Sequence, residues 1–131
     1  MSYNLFLDDE RQPKNVNWAY MPLVEWTIAK SYDDFVRIVS SLGLPARVSF
    51  DHDLDEEHYR EYHWAHSEMN LKKGIFQYDK MKVKTGYHCV QWLVKYCQER
   101  GQSFPEYYVH TMNPIGKVNI IKYIEDYQKS L

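Results

Sequence analysis

Acidic residues follow two short apolar segments at the point where each segment ends. Asp8 and Asp9 come directly after the first segment, and Asp51 and Asp53 follow the second. Because the carboxyl ends of parallel strands meet at one edge of a sheet, we expect these carboxylates to lie together. Carboxylates packed together repel one another unless protons or a cation neutralise them. A hard divalent ion such as Mg²⁺, which prefers oxygen ligands, is the simplest neutraliser.

Other polar side chains lie close enough in the chain to join this chemistry. Arg11, three residues beyond Asp8, carries a donor fork that suits phosphate and can equally pair with the acids. His110 ends a later apolar segment, and a histidine beside carboxylates can act as a general acid or base near neutral pH. The same position also suits a core histidine. His52 lies between the two acids of the second segment.

Two predicted helix starts offer backbone amides to an anion. Thr85 opens one of them, while Thr111, Asn113 and Gly116 surround the other. Asn113 is an expected cap, because Asn is favoured before the first turn and Pro114 is favoured as the first helical residue. Thr85 is also a good cap. Capping and anion binding therefore both explain these residues, and the spacing does not decide between them.

The apolar patterns predict the elements that position these groups. Short apolar runs predict strands at 4–7, 26–29, 48–50 and 107–110. Apolar residues at helical spacing predict helices that begin after residues 31, 85 and 113. This alternation is typical of an α/β fold with a mainly parallel sheet of about four strands and right-handed crossovers. Segment 14–25 has no regular pattern, and 55–84 is interpreted as an insertion after the third strand.

Composition limits the class of protein. The chain of 131 residues fits a single domain covering 1–131, and a net charge of −2 excludes a strong basic field for nonspecific nucleic-acid binding. Cys89 and Cys97 lie two helical turns apart, too far for a disulfide within one helix, and indicate a reducing compartment. No signal peptide and no apolar run of about 20 residues is found. We therefore expect a cytoplasmic protein with no membrane partner.

Four motifs in fixed order resemble those of a known family. They are Leu-Asp-Asp-Glu-Arg-Gln-Pro, Ser-Phe-Asp-His-Asp-Leu, Thr-Gly-Tyr-His and His-Thr-Met-Asn-Pro-Ile-Gly. Together they resemble the cyclic-phosphate-processing receiver-like domains, compact relatives of response-regulator receivers in phages and bacteria. The resemblance covers nearly the whole chain except 55–84, and for a phage-encoded member the expected location is the host cytoplasm.

The resemblance implies a compact, flavodoxin-like, three-layer fold with a divalent-metal pocket. By position, Asp8, Asp9 and Asp51 match the receiver acids that hold Mg²⁺, and Asp51 matches the acid that accepts phosphate. Thr111 falls roughly where receivers carry a hydroxyl residue. No fifth strand with the receiver lysine is predicted, which disfavours phosphotransfer signalling. The family's activity on cyclic phosphates is inferred largely from neighbouring RNA-repair genes.

The expected function is that of a metal-dependent phosphoesterase acting on a cyclic phosphate, either an RNA 2′,3′-cyclic end or a cyclic nucleotide. Mg²⁺ or Mn²⁺ is the expected cofactor, with Asp8, Asp9 and Asp51 as ligands. The expected catalytic residues are Asp51, His52, Asp53 and His110. The expected substrate-binding residues are Arg11, Thr85, Thr111, Asn113 and Gly116. Within this hypothesis the nucleophile is either water or Asp51. The alternative is a noncatalytic receiver-like module that binds metal, a nucleotide, or a host protein through the 55–84 insertion.

Overall fold

Short apolar runs form four strands, and three amphipathic segments form helices. The computed structural model describes residues 2–55, 58, 78 and 82–131. The strands are β1 (Asn4–Leu7), β2 (Thr27–Ala29), β3 (Arg47–Phe50) and β4 (Glu106–Val109). The helices are α1 (Tyr32–Leu42), α2 (Gly86–Arg100) and α3 (Pro114–Lys129), with a short 3-10 helix at Pro13–Asn15. The predicted insertion at 55–84 falls largely outside the described residues.

The four strands form one parallel sheet in the order β2-β1-β3-β4. Leu7 pairs with Phe50, and Phe50 pairs with Val109, so β1, β3 and β4 end at the same level. The chain leaves β1 for β2 on one side and then returns to β3 on the other side. Ligands bind at such a switch point in open α/β sheets. The predicted receiver-like α/β fold with about four parallel strands is confirmed.

One face of the sheet packs against all three helices. Because side chains alternate along a strand, Leu5, Leu7, Val48 and Phe50 point to this face. These residues share one hydrophobic core with buried residues of the helices. The helical contributors include Phe35, Val39, Val90, Leu93, Ile120 and Ile124. None of the helices in the described part of the chain is long and apolar enough to cross a membrane.

The other face is covered by residues 13–26, which we call the strap. The strap residues Trp18, Tyr20, Met21 and Trp26 contact Phe6, Ser49, Tyr108 and His110. The Trp26 ring meets Phe6 edge-on with 6.1 Å between centroids. Within the described residues, the third layer of the predicted architecture is therefore mostly irregular rather than helical.

Side-chain caps are present at the starts of α1 and α3, and the one at Asn113 confirms its prediction. The Ser31 hydroxyl accepts a hydrogen bond from the Asp34 amide at 3.1 Å. The Asn113 side-chain oxygen accepts one from the Gly116 amide at 3.0 Å, and Pro114 is the first residue of α3. These bonds satisfy amides that have no partner inside the helix. They also fix the direction in which each helix leaves the loop before it.

Helix α2 begins with a capping box in which a histidine replaces the usual Glu or Gln. The Thr85 hydroxyl accepts from the amides of Tyr87 and His88, and His88 Nδ1 accepts from the Thr85 amide at 2.8 Å. The pKa of His88 is lowered to about 4, mainly by burial. The charges of Lys84, His58 and His52 act in the same direction. The box requires a neutral imidazole, because protonated Nδ1 is no longer an acceptor.

We expect His88→Gln to reduce the acid sensitivity of the fold. Between the ordinary histidine pKa of 6.5 and about 4, the unfolded chain binds a proton at His88 that the folded chain does not. The stability contributed by neutral His88 is therefore complete above pH 6.5 and is lost as the pH falls. Gln keeps the acceptor without titrating. In EDTA, the variant should match the wild type at about pH 8 and lose roughly 1 kcal/mol less by about pH 5, after discounting for partial exposure. Urea unfolding measures this difference, and equal losses in both proteins would contradict the assignment.

Candidate functional site

The strand ends bring three predicted site residues into one buried cluster. Asp8, Asp51 and His110 follow β1, β3 and β4 directly. Their backbone amides continue the sheet ladder, since Asp51 donates to the Leu7 carbonyl and His110 to the Phe50 carbonyl, both at 3.0 Å. The backbone of the cluster is therefore held by the sheet itself rather than by a mobile loop.

The side chains of this cluster have the chemistry and spacing of a metal site. One ligand atom from each of Asp8, Asp51 and His110 lies within 4.8 Å of the other two. Asp8 and Asp51 are 1% and 2% exposed, and His110 is completely buried. Asp9, the other predicted ligand, lies outside this group of three and is only half-buried.

The carboxylate of Asp8 is well supplied with hydrogen bonds. Its Oδ1 accepts from the amides of Glu10 and Arg11, both at 2.9 Å, and its Oδ2 lies 3.1 Å from His110 Nε2. Burial alone would raise the pKa of Asp8, but the bonds from His110 and the two amides outweigh it and lower the pKa below the ordinary value. Asp8 is therefore ionised and oriented in the folded protein.

Asp51 is not satisfied in the same way. Its Oδ1 accepts from the His52 amide at 2.9 Å, whereas its buried Oδ2 has no hydrogen-bond partner among the described residues. Burial, followed by the charges of Asp8 and Asp53, raises the pKa of Asp51 well above its ordinary value. A buried carboxylate oxygen without a partner is costly, and a cation would remove that cost. The donor set therefore fits a divalent metal.

Asp9 shows a weaker form of the same pattern. Its Oδ1 is also buried without a hydrogen-bond partner in the described part of the chain. Burial, Glu10 and Asp8 together raise the pKa of Asp9 to about 6. Asp9 is therefore close enough to Asp8 for their charges to interact, and the residue is also partly exposed.

His110 is held on every side. Its Nδ1 lies 2.7 Å from the Ser49 hydroxyl, its ring stacks on Phe6 with 4.4 Å between centroids, and its carbonyl accepts from the Trp18 indole at 2.7 Å. Burial lowers the pKa of His110, although Asp8 acts in the opposite direction. With both ring nitrogens engaged, His110 is placed to bind a metal or to orient Asp8.

Arg11 lies at the rim of the cluster. Its guanidinium is 3.9 Å from Asp8 Oδ2, lies 4.9 Å from the centre of the Trp18 ring and reaches Met112 Sδ at 3.7 Å. The side chain is 26% exposed. Arg11 can therefore pair with the acids, which it borders, and can also bind a phosphate from solvent, which it faces.

His52 and Asp53 belong to a second, mostly buried network next to the cluster. His52 Nδ1 lies 2.7 Å from Asp53 Oδ1, and the Asn113 amide group donates to the same oxygen at 3.2 Å. His52 Nε2 lies 2.8 Å from the Tyr78 hydroxyl, which also accepts from Asn119 at 2.9 Å. This network ties the loop after β3 to helix α3. A catalytic role for His52 or Asp53 stays a prediction.

The expected substrate-binding residues at the helix starts have local partners. Thr85 caps α2, and the Thr111 hydroxyl accepts from the Asn113 amide at 3.1 Å. Gly116 donates to Asn113, and a Cβ at Gly116 would lie 2.3 Å from the His52 ring. These contacts account for the residue types as local structure. Phosphate binding by any of them stays a prediction.

Sequence reasoning missed how three residues shape the site. Ser49 supports His110, Trp18 lies under Arg11, and Gly86 allows α2 to approach β3. Strand alternation could have indicated Ser49, since it is a polar residue of β3 on the face that points away from the helices. No local pattern could have indicated Trp18, because the strap is irregular.

The fold and the aligned acids define a receiver-like α/β domain with a buried acidic cluster at the carboxyl edge of its sheet. A family model, the cyclic-phosphate processing receiver domain, matches residues 3–126. The chain belongs to this family, which confirms the resemblance seen in its motifs and links the domain to cyclic-phosphate processing. Comparisons with curated proteins and with solved structures gave no match.

We expect Gly86→Ala to disrupt the cluster from the helix side. The Gly86 amide donates to the His52 carbonyl at 2.8 Å, and a Cβ at this position would lie 1.7 Å from the Asp51 carbonyl oxygen. The backbone that carries Asp51 would have to move, at a cost of roughly 3 kcal/mol. Urea unfolding should show this loss, and calorimetry should show weaker binding of Mn²⁺. Gln98→Ala, at an exposed position of the same helix, is the control. Equal stability of the two variants would contradict the close approach.

Proposed function

We propose that the protein is a metal-dependent phosphoesterase that acts on a cyclic phosphate, either an RNA 2′,3′-cyclic end or a cyclic nucleotide. The observation that carries the proposal is the buried, unpartnered oxygen of Asp51 beside Asp8 and His110. Such an arrangement is costly for the fold alone, which favours a functional cation site. Membership of the cyclic-phosphate processing family supports the substrate class.

In this proposal, Asp8, Asp51 and His110 hold Mg²⁺ or Mn²⁺, with Asp9 adjoining them. A bound divalent ion supplies Lewis-acid polarisation of the phosphate and activation of water. The chain contributes rigidity, because each of the three residues is fixed by the sheet ladder. It also excludes bulk water, since Asp8, Asp51 and His110 are buried.

Arg11 binds the phosphate in this proposal. A cyclic phosphodiester carries one negative charge, and the guanidinium fork can donate to both of its nonbridging oxygens. Arg11 lies over the Trp18 ring and beside Asp8, so a phosphate at the rim meets it without a large movement of the chain.

Ring opening forms a new P–O bond to the oxygen of water and breaks one ester P–O bond. A proton passes from the water to the departing ester oxygen. Both nitrogens of His110 are engaged with Ser49 and Asp8, so we assign His110 to holding the site. Asp9, which is half-buried and has an oxygen without a partner among the described residues, is better placed to accept the proton.

Asp51 as the nucleophile remains the alternative chemistry within this proposal. Its unpartnered oxygen would then attack phosphorus, break the ester bond and form an aspartyl phosphate that water hydrolyses. Mass spectrometry of acid-quenched single-turnover reactions distinguishes the two routes. A phosphorylated Asp51 peptide supports covalent chemistry, and its absence during measured turnover supports direct attack by water.

Asp51→Asn tests the proposal through stability and turnover together. In EDTA, we expect the variant to be more stable than the wild type, because a buried carboxylate next to Asp8 and Asp53 is removed. At about 100 times the dissociation constant of Mg²⁺ or Mn²⁺, the wild type should gain roughly 2.7 kcal/mol, and the variant should lose most of this gain. Thermal unfolding with and without metal measures both effects. Asp126→Asn, an exposed acid of α3, is the matched control.

The same proteins are then assayed on 2′,3′- and 3′,5′-cyclic phosphates. The wild type should open one class in the presence of metal and none in EDTA, and Asp51→Asn should lose at least about 100-fold in rate. Metal binding without turnover of any substrate would contradict the phosphoesterase. It would favour the noncatalytic module and make a search for its partner the next step.

We expect Arg11→Lys to weaken substrate binding more than it slows the chemical step. A lysine keeps the charge but loses the bidentate fork, so KM should rise about tenfold. Arg37→Lys, at an exposed arginine of α1 that pairs with Asp34, provides the control. Steady-state kinetics on the substrate found in the panel measures both. An unchanged KM in Arg11→Lys would remove Arg11 from the phosphate site.

A further inference from the structure

Four side chains form a chain of contacts from the strap to the acidic cluster. Met21 Sδ lies 3.4 Å from Ser49 Oγ, which lies 2.7 Å from His110 Nδ1. His110 Nε2 then lies 3.1 Å from Asp8 Oδ2. Ser49 and His110 are completely buried, and Asp8 is nearly so. Because the chain of contacts is buried, these four side chains themselves determine which atom donates and which accepts in each hydrogen bond.

The Ser49 hydroxyl can support either tautomer of His110. If Ser49 donates to His110 Nδ1, the ring hydrogen is on Nε2 and points to Asp8. If Ser49 donates to Met21 Sδ, which can only accept, its oxygen accepts from the Nδ1 hydrogen. Nε2 then presents a lone pair to the acidic cluster. Met21 matters because it gives the hydroxyl hydrogen a second acceptor.

The second arrangement leaves His110 Nε2 available as a metal ligand beside Asp8 and Asp51. Two neighbouring ligands of an octahedral ion with bonds of about 2.1 Å lie roughly 3 Å apart. His110 Nε2 and Asp8 Oδ2 are separated by 3.1 Å. Asp51 adds a third ligand atom to the group and carries an oxygen without a partner among the described residues. One nitrogen and two oxygens are thus gathered without any movement of the strands.

We propose that this site prefers a first-row transition ion to Mg²⁺, with His110 Nε2 as a nitrogen ligand and Ser49 as the positioning residue that supports the required tautomer. The inference rests on the metal site of the proposed function and specifies its cofactor. Mg²⁺ favours oxygen ligands and keeps its waters, whereas imidazole nitrogen suits the transition ions. A hydrogen-bond partner on the other nitrogen of a ligating histidine typically contributes 10- to 100-fold in affinity.

Calorimetric titration of the metal-free protein with Mn²⁺ and with Mg²⁺, in the absence of substrate, tests this preference. Mn²⁺ shares the octahedral geometry of Mg²⁺, so the change in the ratio of the two dissociation constants between wild type and variant reports the contribution of the nitrogen. We expect Ser49→Ala to weaken Mn²⁺ binding at least about tenfold and Mg²⁺ binding much less. His110→Gln replaces the nitrogen ligand by an oxygen, and it should reduce the preference for Mn²⁺ over Mg²⁺ as strongly as Ser49→Ala does. Ser40→Ala, at an exposed serine of α1, should leave the ratio unchanged.

Electron spin-echo spectroscopy of the Mn²⁺-bound protein provides a readout that does not depend on affinity. A directly bound imidazole modulates the echo through its nitrogen nucleus, and we expect this signal in the wild type and its loss in His110→Gln. If His110→Gln fails to fold, Ser49→Ala still tests the inference, because it removes only one hydroxyl. Circular dichroism checks that both variants are folded.

The inference would be overturned if Ser49→Ala left the ratio of the Mn²⁺ and Mg²⁺ dissociation constants unchanged. It would also be overturned if the echo of the wild type showed no modulation by an imidazole nitrogen. His110 would then act only as a hydrogen-bond donor to Asp8 in an all-oxygen site. Neither measurement uses turnover, so either result leaves the phosphoesterase proposal standing. Conversely, Mn²⁺ binding through nitrogen without turnover would overturn the phosphoesterase and leave the metal preference intact. A protein that binds neither ion would overturn both.

Discussion

The burial of two carboxylates side by side is the constraint on which the rest of the structure depends. Asp8 and Asp51 follow adjacent parallel strands, so the sheet ladder itself holds them together. Asp8 is stabilised by two amides and by His110, whereas Asp51 keeps an oxygen without a partner among the described residues. The hydrophobic core between the sheet and the three helices must offset this electrostatic cost. An arrangement that costs stability at the switch point of a parallel sheet, where ligands bind in open α/β folds, is suited to holding a cation.

The cluster is supported from two sides by different kinds of contact. On the helix side, the hydrogen-bonded network of His52, Asp53 and Asn113 fixes the loop after β3, and Gly86 lets α2 pack directly against that loop. On the opposite face, the strap and Ser49 hold His110. The rigid parts therefore carry the candidate metal ligands, while Arg11 at the rim is left partly exposed. This division suits the proposed function, in which the ligands stay in place and a phosphate enters at the rim.

Much of the fold was predictable because its signals are local. Apolar runs located the strands to within about a residue, and Ser31 and Asn113 marked helix starts through their capping chemistry. The acidic cluster was predictable because parallel strands align their carboxyl ends. Asp53 also lies near enough to Asp51 for their charges to interact, as the shared edge predicts. Its hydrogen bonds to His52 and Asn113 were not predictable, because Asn113 is far away in the chain.

The order of amino acids alone therefore established the α/β class, the pairing of acids with strand ends and the family motifs, because each depends on residues close together in the chain. Tertiary structure decided which groups meet. His110 joins Asp8 across 102 residues, Ser49 joins His110 across 61, and Trp18 reaches the His110 carbonyl across 92. These contacts depend on sheet order and on the path of an irregular strap, neither of which leaves a periodic pattern in the sequence. For that reason the contacts of His110 with Asp8 and Ser49, and its support by Trp18, emerged only when the strands and the strap were placed side by side.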